Sequence, residues 1–160
     1  MQKTALVRSV NGMHLEGTAD SAARLELDDG NGAPGFRPSE LVLVGLAGCT
    51  AQDVISILGK KRQSFDTYEV AAQAEQREAH PHAFTSVSIE HRLTGPALEV
   101  EAVRRSIELS ATKYCTVTAV VASGIARIEH TYVVRNAEGE HRGTVVVTGP
   151  QGAGIPGLSA

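Results

Sequence analysis

Cysteine is scarce in this 160-residue chain, which has two in all, Cys49 and Cys115. Two thiols cannot build the bridge framework of a small secreted domain, and a chain of this length buries enough apolar surface to fold without one. A basic excess is missing as well. The formal net charge is −3 and the isoelectric point is near 6.1, so no positive field gathers phosphates and nucleic acid is not expected as a partner. The first residues, Met1-Gln-Lys-Thr-Ala-Leu-Val-Arg8, alternate polar and apolar and soon meet Asn11-Gly12, so the apolar centre of a secretion signal is lacking. No apolar run is read as long enough to span a membrane. A soluble, cytoplasmic protein is expected, with thiols that are kept reduced between turnovers. Gly30-Asn31-Gly32 and Gly35 follow no strand directly and precede no suitably spaced lysine, which excludes a phosphate-binding loop. The six histidines include His80 and His82, two apart, and His91 on a neighbouring strand, but the spacing of a metal site is absent. They are read as exposed loop histidines, and neither a metal nor a bound cofactor is expected.

What is present is a succession of short alternating segments around one long apolar one. Thr4 to Val10, Met13 to Thr18 and Arg24 to Asp28 alternate and are separated by turn formers, which predicts a three-stranded antiparallel meander. Asp28 to Pro38 is too rich in Gly, Pro, Asp and Asn to continue a strand or a helix and reads as a loop. Pro38-Ser39-Glu40 then opens a helix that runs to about Arg62, with Lys60, Lys61 and Arg62 complementing its dipole. Its apolar residues surround the axis, so it should be buried on nearly every side. Thr67 to Gln76 and Phe84 to Leu93 predict an antiparallel pair, and Leu98 to Leu109 an amphipathic surface helix. Thr112-Lys113-Tyr114 reads as a joint before a short helix from about Cys115 to Ser123, ended by Gly124. Ile125 to Arg135 and Thr144 to Thr148 read as strands around an Ala137-Glu138-Gly139 turn, and no internal repeat is seen. One domain over residues 1–148 and a flexible Gly/Pro-rich tail over 149–160 are expected.

Both cysteines fall in predicted helices. Two thiols brought together from distant segments would run a peroxide-reducing or disulfide-exchanging cycle, since the thiolate is the nucleophile and the form that is oxidised. Two packed core cysteines are the alternative, because free cysteine is among the most buried residue types.

Three segments carry a family likeness. Arg37-Pro-Ser-Glu-Leu-Val-Leu-Val-Gly-Leu-Ala-Gly-Cys-Thr-Ala-Gln-Asp-Val54, Glu78-Ala-His-Pro-His-Ala-Phe-Thr85 and Ile107-Glu-Leu-Ser-Ala-Thr-Lys-Tyr-Cys115 together resemble the OsmC/Ohr family, in order from about residue 3 to 148. The resemblance implies an α+β fold in which antiparallel sheets wrap long central helices in an intertwined homodimer. It implies a thiol-dependent peroxidase for organic hydroperoxides, active in oxidative or osmotic stress defence, with Cys49 peroxidatic and Cys115 resolving. An external dithiol, in the best-known members a protein-bound dihydrolipoyl group, then reduces the disulfide. An apolar pocket along the central helix would favour organic hydroperoxides, at about 0.8 kcal/mol per buried methylene.

The activating residues depart from the peroxidase members, which use an arginine near the chain start, positioned by a glutamate at the opening of the central helix. No arginine occurs in Asn11 to Ala23, leaving Arg8, Arg24 and Arg37 as substitutes by proximity, and Ser39 aligns with the glutamate while Glu40 comes one residue late. Asp53, four residues after Cys49, shares its helix face and opposes its ionisation if charged. Lys113 would act in the opposite sense on Cys115. Thr116 stands where Lys-Tyr-Cys relatives carry proline, and the organisation is closer to the general OsmC-like branch than to the hydroperoxide-resistance branch. Two other functions stay open: a noncatalytic dimeric module that holds a small lipophilic ligand, and a thiol redox sensor.

Overall fold

A computed structural model of the protein describes residues 2–31, 35–124 and 127–148. The predicted tail, 149–160, lies outside the described residues, as does part of the 28–38 loop. The chain divides into two compact units, 1–44 and the remainder from Gly45.

In the first unit β1 (Ala5–Asn11), β2 (His14–Ala19) and β3 (Arg24–Leu27) form the predicted meander in the order β1-β2-β3, both pairs antiparallel. Gly12 has φ 59°, the left-handed conformation that the tight β1–β2 turn requires and glycine adopts without steric cost. Every residue of β1 is exposed. Phe36 closes the loop after β3 by a parallel bridge to Leu27.

The long helix α1 (Pro38–Lys60) begins as its first residues dictate. Proline occupies the first helical position, and the Glu40 carboxylate accepts the backbone N–H of Arg37 at 2.9 Å, half of a capping box. The helix ends where Arg62 takes up φ 58°, a left-handed cap. Within the single chain only one stripe of α1 is buried, Leu46, Thr50, Val54 and Leu58 at intervals of four. Val42, Val44 and Ile55 remain exposed, so the all-round burial expected of this helix is not met by its own chain. By length and composition alone α1 is able to cross a membrane, which corrects the reading that no apolar run is that long. Its Val54 and Leu58 instead pack in a protein core.

The second unit builds that core. Strands β4 (Thr67–Gln76), β5 (Phe84–Thr94), β6 (Arg127–Asn136) and β7 (Gly139–Thr148) form one sheet in the order β4-β5-β6-β7. The outer pairs are antiparallel, but β5 and β6 run parallel, so this sheet is mixed. The reason is the connection: parallel neighbours need a crossover, here α2 (Val100–Leu109), a π-helical turn (Ser110–Tyr114) and α3 (Thr116–Val121). The amphipathic α2 buries Ala102, Val103 and Ile107 and turns Glu101, Arg104 and Glu108 outward into ion pairs. Val54, Leu58, Leu93, Leu98, Val103, Ile107 and Val134 interlock as one cluster, each fully buried side chain contributing about 1.5–3 kcal/mol. β7 starts at Gly139, five residues before the Thr144 expected, because Glu140, His141 and Arg142 pair with β6 despite their polarity. The architecture is the α+β class expected.

Candidate active site

Two elements of the second unit converge on the thiols. Cys49 rides on α1, half-buried, one position before the buried stripe residue Thr50. Cys115 follows the π-helical turn and is 4% exposed. It is also the N-cap of α3, its Sγ accepting the Thr118 N–H at 3.3 Å. Both Sγ atoms and a carboxylate oxygen of Asp53 lie within 4.8 Å of one another. Cysteines 66 positions apart in the sequence are thus brought together, with the acid that follows Cys49 by one helical turn.

The surroundings fix who holds protons. Burial pushes the Cys115 thiol up to about 11, a hydrogen bond with Cys49 adds to the shift, and the Thr118 contacts pull the other way. Lys113 is not among the groups acting most strongly on it. That lysine is exposed, with Nζ 5.4 Å from the centre of the Tyr114 ring. Arg37 and Glu40 belong to the first unit, where the Arg37 guanidinium covers Gly30 and Glu40 caps α1. Of the candidates named from the sequence, the structure therefore gathers Cys49, Cys115 and Asp53.

Sequence reasoning missed Ser110, which bonds Asp53, and Thr50, which bonds Ser110. The Ser110 hydroxyl lies 2.9 Å from Asp53 Oδ2 and 2.9 Å from Thr50 Oγ1, bridging the π-helical turn to α1. Ser110 and Thr50 are fully buried. Their signal was present: Thr50 interrupts the stripe Leu46, Val54, Leu58, and Ser110 continues the stripe Val103, Ile107, each polar residue standing at an apolar position.

Histidine also departs from expectation. His80 and His82 are exposed as foreseen, but His91 is fully buried and stacks 6.1 Å from the equally buried His130. His91 Nδ1 and Tyr68 Oη share a hydrogen bond of 2.7 Å, whereas His91 Nε2 and both nitrogens of His130 have no partner among the described residues. Desolvation, with the neighbouring His130 second, pulls His91 down to about 3, and desolvation pulls His130 down to about 4. Both are neutral near pH 7. Burial, and then the charge of Asp53, push the Tyr68 phenol upward. On the polar face of the sheet a hollow of about 330 Å³, lined by Glu69, Glu90, Arg92, Arg135 and Arg142 among others, contains neither thiol.

Comparison with known proteins gives a consistent result. The family model for OsmC-like proteins matches residues 29–130. Protein YhfA of Escherichia coli K12 is 37% identical over 130 residues, covering 81% of this chain and 96% of its own. A hypothetical protein from Aquifex aeolicus VF5 superposes with a TM-score of 0.75 at 24% identity, over 84% of this chain and 96% of that one. The organic hydroperoxide resistance protein OhrB of Bacillus subtilis shares the fold, with a TM-score of 0.56 at 14% identity over 84% and 98% of the two chains.

Proposed function

The chain belongs to the OsmC-like protein family, and on that footing we propose that it is a thiol-dependent peroxidase for organic hydroperoxides, serving oxidative or osmotic stress defence. The observation that carries this reading is the approach of Cys49 and Cys115 to within 4.8 Å with Asp53 beside them.

Cys49 is the peroxidatic residue because it is the more accessible of the two thiols. Its sulfur attacks the distal peroxide oxygen and breaks the O–O bond, Asp53 takes the thiol proton, and that proton passes to the departing alkoxide. The products are a sulfenic acid on Cys49 and an alcohol. Cys115, whose thiol burial keeps protonated at rest, gives that proton to the departing hydroxide as its sulfur attacks the sulfenic sulfur. A disulfide forms and water leaves. An external dithiol restores both thiols by exchange and is itself oxidised to a disulfide, which suits a reducing compartment such as the cytoplasm.

A homodimer completes this reading. The exposed Val42, Val44 and Ile55 of α1, and separately Leu6, Val7, Val10 and Met13 of the meander, are apolar surfaces that a second copy covers. The substrate's alkyl tail sits where α1 gains its apolar cover. Cumene hydroperoxide consumption in the presence of a supplied dithiol tests the proposal. Turnover is expected from the reduced protein, with loss of at least a hundredfold in Cys49→Ser; no turnover in the unaltered protein, or full turnover in the variant, contradicts it.

A further inference from the structure

Asp53 need not serve thiol chemistry alone. A carboxylate oxygen within 4.8 Å of two sulfurs completes a set of three groups of the kind that binds a divalent cation. We propose that Cys49, Cys115 and Asp53 form a binding site for a thiophilic divalent metal ion of the zinc type, filled in the reduced protein and emptied when the two thiols join.

The donor set is of the right kind and nearly in the right place. Tetrahedral zinc with bonds of about 2.3 Å to sulfur sets its thiolates about 3.8 Å apart. The two sulfurs, already within 4.8 Å of each other, need to close by at most about 1 Å to meet that geometry. Two thiolates select zinc, cobalt or cadmium over magnesium and calcium, which demand oxygen.

The outer contacts fit the same role. Ser110 bonds Oδ2 of Asp53 and links it to Thr50, orienting the carboxylate; ligating carboxylates are commonly oriented in this way. Cys115 Sγ accepts the Thr118 N–H. Two thiols and one carboxylate provide three ligands, so the fourth position of a tetrahedral site stays open to solvent or an exogenous group.

Binding displaces the two thiol protons. Oxidation reverses it: a hydroperoxide takes two electrons from the thiolate pair and two protons from solvent, giving the disulfide, an alcohol and water, and the metal leaves because both sulfur ligands are spent. Metal capture requires no peroxide chemistry, so it stands or falls apart from the peroxidase reading.

Cobalt(II) added to the full-length, metal-free, reduced protein under inert gas is the test. A near-ultraviolet thiolate-to-cobalt charge-transfer band saturating at one ion per chain is expected, and zinc abolishes it. Cys49→Ser and Cys115→Ser each remove about half the band and weaken binding at least tenfold. Asp53→Asn keeps the band and weakens binding tenfold or more. The disulfide form of the unaltered chain, which needs no substitution and so no refolding, gives no band. Absence of the band from the reduced protein, its persistence in the disulfide form, or unchanged affinity in Asp53→Asn overturns the proposal. Peroxide consumption measured on chelator-treated protein separates the two readings: cobalt binding without turnover leaves the metal site standing alone, and turnover without cobalt binding removes it.

Discussion

The meander and the four-stranded sheet use similar alternating sequences to opposite ends. In β1 every residue is exposed, apolar Leu6, Val7 and Val10 included, whereas in β5 Val87, Ile89, His91 and Leu93 are buried and the residues between them are not. Alternation yields a strand in both units, but burial needs a second layer. The sheet has one in α2 and the stripe of α1 from Leu46 to Leu58, whereas no residue of β1 is buried. The unit that closes its core also holds both thiols. Both thiols and the closed core therefore lie in the second unit, while the first presents exposed apolar residues.

Acid should break the second unit most severely. His91 and His130 stay neutral in the folded chain down to about 3 and about 4, against an ordinary value of 6.5. Below 6.5 the unfolded chain takes up protons that the folded chain refuses, so their contribution is fully present above that pH and is lost as acid carries the protein from about 6.5 toward 4. The limiting slope is about 1.4 kcal/mol per pH unit for each histidine. Urea midpoints measured at intervals over this range should fall steeply, and His130→Leu should flatten the fall by about half.

Next in size is the core itself. Ile107→Ala removes a fully buried side chain from the cluster joining α1, α2 and the sheet and should cost about 3–4 kcal/mol in chemical denaturation. Glu40→Ala deletes the cap on the Arg37 N–H and should cost about 1 kcal/mol or less, visible as a small drop in the thermal midpoint. The smallest effect belongs to Leu6→Ala on the meander. It should change the stability of the dissociated chain by less than about 0.5 kcal/mol and weaken self-association in sedimentation; a large loss in the dissociated chain would show that β1 is packed after all.

Much of this was legible in the sequence because local rules decide it. Asn11-Gly12, Pro38 with Glu40, and the spacing of Val103 and Ile107 each name their element with no reference to distant residues. The two cysteine segments named the family. What escaped depends on partners far along the chain. Sequence spacing cannot tell that His91 and His130 lie on neighbouring parallel strands, Ile89 pairing with His130 and His91 with Tyr132. Nothing in the local spacing of Ser110 and Thr50 tells that the π-helical turn sets one hydroxyl against the other. Asp53 was recognised as sharing a face with Cys49, but Cys115 as a neighbour of both came from the turn that follows α2.

The central claim is that Cys49 and Cys115 act as one unit, and disulfide mapping tests it most directly. Reduced protein treated with one equivalent of cumene hydroperoxide should lose both free thiols together and release, on proteolysis under nonreducing conditions, a single cross-linked peptide pair containing Cys49 and Cys115. Oxidation that stops at a sulfinic or sulfonic acid on Cys49, with Cys115 still free and no cross-link formed, would contradict it.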